Sequence, residues 1–170
     1  MLYHNIRSYN IIREMGTVDL LTGLLNRNCY QRNMKGYPMM NFQTLACVYC
    51  DVNGLHELNN SQGHEAGDEM LKTVAVTIRN YFGDEHSYRI GGDEFVAFVL
   101  DEETEDIKKK TEAVARKLEA KGYYVSVGIS IGRPKNLTEM EELVKKAEAE
   151  MYAVKKIFYE NGGRDRRGRM

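Results

Sequence analysis

Two glycines followed at once by two acids, Gly91-Gly92-Asp93-Glu94, stand between the β-like runs 88–90 and 95–100. Glycine adopts φ > 0 without a Cβ penalty, so the pair suits a tight two-residue hairpin turn that presents carboxylates and lets a ligand approach the backbone. Alone, such a pair is an ordinary turn. A second acidic stretch gives it weight. The apolar run 45–50 has strand length and leads into Asp51-Val52-Asn53-Gly54-Leu55-His56, with Asn59 and Asp68 further along. If Asp51 ends a strand and Gly54 turns into a helix, the N–H groups of Gly54, Leu55 and His56 become helix-start donors that face an anion. Carboxylates gathered from two such loops repel one another. A hard divalent cation, Mg²⁺ or Mn²⁺ in its place, relieves that repulsion while taking phosphate oxygens as further ligands. A pair of such ions activates an attacking hydroxyl and neutralises a leaving pyrophosphate. Adjacent strand residues face opposite sides, which speaks against Asp93 and Glu94 both binding one ion.

Other phosphate and metal chemistries are excluded by pattern. The chain has no G-x-x-x-x-G-K-[ST] segment, so it is not a P-loop enzyme. A calcium loop starting at Asp51 fails, because Leu55 occupies its fifth position and Gln62 replaces the terminal glutamate. Cys47 and Cys50 form a C-x-x-C on a strand, where positions three apart face opposite sides. No second pair completes a zinc set, so these two and Cys29 read as reduced cysteines in or near the core.

The elements that must position these residues follow from periodicity and punctuation. The spacing predicts a short connector helix over 2–15, a helix over 26–35, a break at Pro38, a strand over 45–50 and helices over 55–60 and 65–81. After the hairpin come a helix over 103–121, a stop at Gly122, a strand over 123–131 and a final helix over 138–159, with Glu142 available for a capping box behind Leu137-Thr138. Strands and helices alternating irregularly around one hairpin fit an α/β (α+β) sandwich with a largely antiparallel sheet.

Lys plus Arg number 24 against 25 Asp plus Glu in 170 residues, so no overall basic field argues for nucleic acid or an anionic membrane. The length suits one domain that buries roughly two thirds of its unfolded surface. No run of eighteen apolar residues or signal-peptide pattern occurs, and a cytoplasmic protein without membrane contact is the expectation.

The segments Asp19-Leu20-Leu21-Thr22-Gly23-Leu24-Leu25-Asn26-Arg27, 51–68, 88–95 and Val127-Gly128-Ile129-Ser130, in this order and spacing, resemble the GGDEF domain of diguanylate cyclases. The likeness runs over 19–167, leaving a connector at 1–18 and a basic tail at 168–170. It implies a ferredoxin-like, palm-type core with a central, mostly antiparallel five-stranded sheet flanked by helices. It also implies Mg²⁺-dependent condensation of two GTP molecules into cyclic di-GMP and pyrophosphate at a homodimer interface, and an upstream sensory or regulatory domain. The alternative within the family is a silent domain that binds GTP and regulates a partner; a purely structural dimerisation module is the third.

The resemblance assigns the metal to Asp51, the Val52 carbonyl and one acid of the Asp93–Glu94 pair, with those two acids closest to the chemistry. Substrate contacts fall on Gly54, Leu55, His56, Gly91, Gly92 and Lys155. Guanine is read by Asn59 and Asp68, whose bland alternative is helix capping. Several positions depart from the family pattern: Asn53 and Asn60 stand where aspartates are usual, His56 where lysine is usual, and Tyr159 where a basic residue is usual. Arg164 or Arg166 is available to supply the missing charge. An inhibitory product site, R-x-x-D ahead of the Gly-Gly turn, is replaced by Phe82 and Glu85, so little product feedback is implied.

Overall fold

The computed structural model describes residues 16–163. The connector expected over 2–15, Arg164, Arg166 and the tail 168–170 lie outside the described residues. The chain forms α1 (Arg27–Met34), a 3-10 turn (Tyr37–Met39), β1 (Leu45–Asn53), α2 (Leu55–Gln62), α3 (His64–Phe82), β2 (Ser87–Arg89), β3 (Glu94–Leu100), α4 (Thr104–Glu119), β4 (Tyr124–Gly132) and α5 (Leu137–Glu160). The sheet has strand order β2-β3-β1-β4 with every pairing antiparallel.

The central strand β1 is buried along its whole length, which is why it reads as a continuous apolar run rather than an alternation. Its residues divide by pleat. Ala46, Val48, Cys50 and Val52 pack with Met70, Leu71, Val74 and Ile78 of α3 and with Ile107, Val114 and Leu118 of α4. Leu45, Cys47 and Tyr49 point the other way, into a core with Met140, Leu143, Ala147 and Met151 of α5 and Cys29 and Met34 of α1. Cys47 and Cys50 therefore do lie on opposite faces, and all three cysteines are free and buried. On the α5 side β4 begins with Tyr124, whose ring meets Phe158, and then offers small residues, the buried Ser126, Gly128 and Ser130. The helix comes so close there that a Cβ on Gly128 would overlap the Ala147 carbonyl oxygen and the Met151 amide nitrogen.

Three expectations are corrected. The sheet has four strands, not five. At the β2 edge Leu25 makes one parallel bridge to Tyr88, donating to the Ser87 carbonyl at 3.1 Å and accepting from Arg89 N at 2.9 Å. Asn26 then caps α1 by accepting from Cys29 N, so the chain turns helical before a strand can grow. The hairpin connection has three residues, 91–93, closed by Ile90 N donating to the Glu94 carbonyl at 2.9 Å. Neither Gly91 nor Gly92 has positive φ. Gly91 instead makes room for a side chain, because a Cβ there would come within 2.6 Å of Glu94 Oε2. Finally, α5 starts at Leu137, since Asn136 rather than Thr138 is its cap and Glu139 rather than Glu142 reaches back, to Lys135 N.

Candidate active site

The acidic centre forms where β1 leaves the sheet. Strand β1 runs to Asn53, past the expected end at Cys50, and sets Asp51 opposite Glu94 of β3 and Ser126 of β4. Cross-strand partners share a face, so the Asp51 and Glu94 side chains both point to the α5 side. Asp93 sits in the connection, and its carbonyl accepts from Val52 N at 2.9 Å. From α5, Lys155 Nζ reaches Asp51 Oδ1 at 2.8 Å. Asp51 is 3% exposed. Burial pushes its carboxyl above the ordinary carboxylate range, and the charges of Asp93 and Glu94 add to the shift despite the Lys155 bond. Lys155 is raised in turn by its bond to Asp51, against its own burial. Glu94 is held as well: the Tyr49 hydroxyl donates to Oε1 at 3.0 Å.

The turn into α2 is built around Gly54, at φ +78, a left-handed conformation that suits glycine. Of the three expected anion donors, Gly54 N already has a partner: it donates to the Tyr159 hydroxyl at 3.3 Å. Leu55 is half-buried, while His56 is exposed and hydrogen-bonded to Asn60 Nδ2 at 3.0 Å. Two departures from the family pattern thus form one pair, four residues apart on the helix. Asn53 pairs with the Ser126 hydroxyl at 2.9 and 3.0 Å, so it belongs to the sheet's interior.

Asn59 lies against α3. Its Oδ1 is buried without a hydrogen-bond partner, and a Cβ on Gly67 would overlap it. Asp68, the next residue, is exposed on α3. Neither side chain caps a helix: it is the backbone carbonyl of Asn59 that receives Gly63 N, at 2.9 Å. The expected residues therefore gather at two places, Asp51, Val52, Asp93, Glu94 and Lys155 at the end of β1, and Asn59 with Asp68 across the α2–α3 contact. A cavity of about 940 Å³ opens beside Gly54 and Tyr159, between α2, α3 and the end of α5, and Asp51, Asp93 and Glu94 do not line it. Among the described residues no three His, Cys, Asp or Glu side chains form a ready metal cage, and no helix is long and apolar enough to cross a membrane.

Sequence reasoning missed two supports. Arg89 pairs with Asp19 at 3.1 Å and donates to the Gly92 carbonyl at 2.8 Å, tying the early loop to the Gly-Gly turn. Burial works against the Asp19 charge, but bonds from Thr22 and Arg89 outweigh it and hold the carboxyl below its ordinary range. Tyr49 is the other; its position two residues before Asp51, on the same strand face, was the available signal. At the implied product site Phe82 is half-buried and Glu85 exposed, while Arg79 is paired with Asp84 and bonded to the Thr22 carbonyl.

Comparison with known proteins places the fold and the family. DosC of Escherichia coli, named a diguanylate cyclase, is 27% identical over 157 residues, 82% of this chain and 33% of DosC. NbdA of Pseudomonas aeruginosa, named a cyclic di-GMP phosphodiesterase, is 31% identical over 150 residues, 80% of this chain and 19% of NbdA. The chain thus spans a third or less of either relative. The coiled-coil and GGDEF structure of DgcB from Caulobacter crescentus, solved with c-di-GMP, superposes with a TM-score of 0.82 at 20% identity, covering 91% of this chain and 88% of that one. The family model described as "Diguanylate cyclase, GGDEF domain" matches residues 16–160, from just before the Asp19 loop to the end of α5, and the chain belongs to that family.

Proposed function

We propose that this domain is a diguanylate cyclase, which condenses two GTP molecules into cyclic di-GMP with release of two pyrophosphates. The observation that carries the reading is the buried Asp51, raised in proton affinity, facing Glu94 across the sheet with Asp93 beside it. Three acids here face one ammonium, that of Lys155, so the centre is short of positive charge and a small hard cation fits its oxygen donors. Asp51, the Val52 carbonyl and one acid of the Asp93–Glu94 pair would hold Mg²⁺, and Glu94 is the one that stands opposite Asp51 across the sheet. When bound, Mg²⁺ would supply charge neutralisation on the phosphates and acidify the attacking hydroxyl.

The chain's own residues do the rest. Lys155, here bonded to Asp51, supplies the ammonium that would bind the triphosphate. Leu55 N and His56 N at the start of α2, with the open face of Gly92, take phosphate oxygens. The orphaned Asn59 Oδ1 accepts from the guanine edge, and Asp68 accepts from its N1–H and N2–H₂. Each 3′-hydroxyl attacks the α-phosphate of the other GTP, so two domains must face each other as a homodimer.

The Gly54–Tyr159 bond favours a second reading, a GTP-binding regulatory domain with slow or no turnover, because a neutral hydroxyl occupies a phosphate donor. Incubation with GTP and Mg²⁺ followed by mass analysis separates the two. Cyclic di-GMP with pyrophosphate supports the cyclase; thermal stabilisation by GTP without product supports the regulatory domain. No stabilisation by GTP at all would sink both.

A further inference from the structure

We propose that Tyr49 is the positioning residue for Glu94, an inference that rests on the cyclase reading and adds a member to its machinery. The Tyr49 ring is 4% exposed and packs in the α5-side core. A hydroxyl carried into such a core is costly unless bonded. Its hydrogen-bond partner here is Glu94 Oε1, at 3.0 Å. The other oxygen, Oε2, lies over the bare Cα of Gly91. The carboxylate is therefore held at one oxygen and closely packed at the other, which fixes its rotamer. Asp93, one residue away, has no side-chain hydrogen bond among the described residues. Strand β1 supplies both Asp51 and, two residues earlier on the same face, the hydroxyl that orients the acid opposite it. The pleat sets the spacing between Asp51 and the hydroxyl that holds Glu94. Phenylalanine at this position would fill the same space and leave Oε1 free to swing.

The test is calorimetric titration of Mn²⁺ in the presence of a non-hydrolysable GTP analogue, on wild type, Tyr49→Phe, Glu94→Ala and the double variant, with kcat and KM measured beside it. Tyr49→Phe should weaken Mn²⁺ binding by about tenfold or more, the usual effect of removing a partner that orients a ligand. It should lower kcat while KM for GTP stays within about twofold. On the Glu94→Ala background the same change should add less than about twofold, because Tyr49 then has nothing to orient. Wild-type Mn²⁺ affinity in Tyr49→Phe would overturn the proposal, as would an equal loss on both backgrounds, which would mean that Tyr49 acts through packing. Should Tyr49→Phe not fold, Tyr49→Met carries the same comparison. A wild-type protein that binds neither Mn²⁺ nor the analogue defeats the cyclase reading itself, and Tyr49's role with it.

Discussion

Asp51 works against the fold that carries it. The folded chain holds its proton more tightly than the unfolded chain does, so ionising this carboxyl lowers stability. The favourable contribution is complete below the ordinary carboxylate pKa and is lost as pH rises through the raised folded value. Asp51→Asn should therefore melt higher than wild type at pH 7 without metal, and the gap should close as the pH falls through the carboxylate range; a lower melting temperature at pH 7 would contradict the shift. The same variant should lose product formation on the order of a thousandfold, the trade of stability for function found at many active sites. At Tyr159 the expected outcome is the reverse. Tyr159→Lys frees Gly54 N and adds charge, so GTP should stabilise that variant at lower concentration than it does wild type, as read by thermal shift. These residues differ in how far the sequence disclosed them. A strand-length run ending in an acid marked Asp51. Tyr159 was visible as a departure from pattern, but a bond between positions 54 and 159 needs the fold.

At the scale of elements, α5 is the part that the site depends on most, since it brings both Lys155 and Tyr159 to the end of β1. Its seat is the strip of small residues on β4. Gly128→Ala would force the helix backbone away, at about 1–3 kcal/mol for an overpacked contact, and each kcal/mol lowers Tm by about 2–4 °C in a chain of this size. Activity should fall further than stability does, because the helix that moves carries Lys155 and Tyr159, the proposed phosphate side of the site; a variant with wild-type Tm and rate would show that the helix has slack. The five described α-helices and four strands were legible from period and punctuation. The turn was not, since Gly91 is needed for the carboxylate above it rather than for its own φ. Nor was the missing fifth strand, because isolated bridges from Leu25 to Val18 and Tyr88 leave no length signal.

For the whole molecule, feedback by product should be weak. A dianionic ligand at the turn after α3 would meet Phe82 and the exposed Glu85, and Arg79 is already engaged by Asp84 and Thr22. The arginine fork that would grip a guanine edge and a phosphate is lacking there. Initial rates should stay flat with added cyclic di-GMP at low micromolar levels, and tight non-competitive inhibition would refute this. The sheet's two-sidedness also makes the three thiols native reporters. Cys50 lies in the layer under α3 and α4, while Cys29 and Cys47 lie in the layer under α5 and α1. Burial raises both strand thiols, so neither reacts until its layer opens. Pulsed alkylation read by mass then clocks the two layers separately. Equal labelling rates mean that the molecule opens as one cooperative unit, and faster labelling of Cys29 and Cys47 means that α5 peels away first, taking Lys155 and Tyr159 with it while the rest of the fold stands.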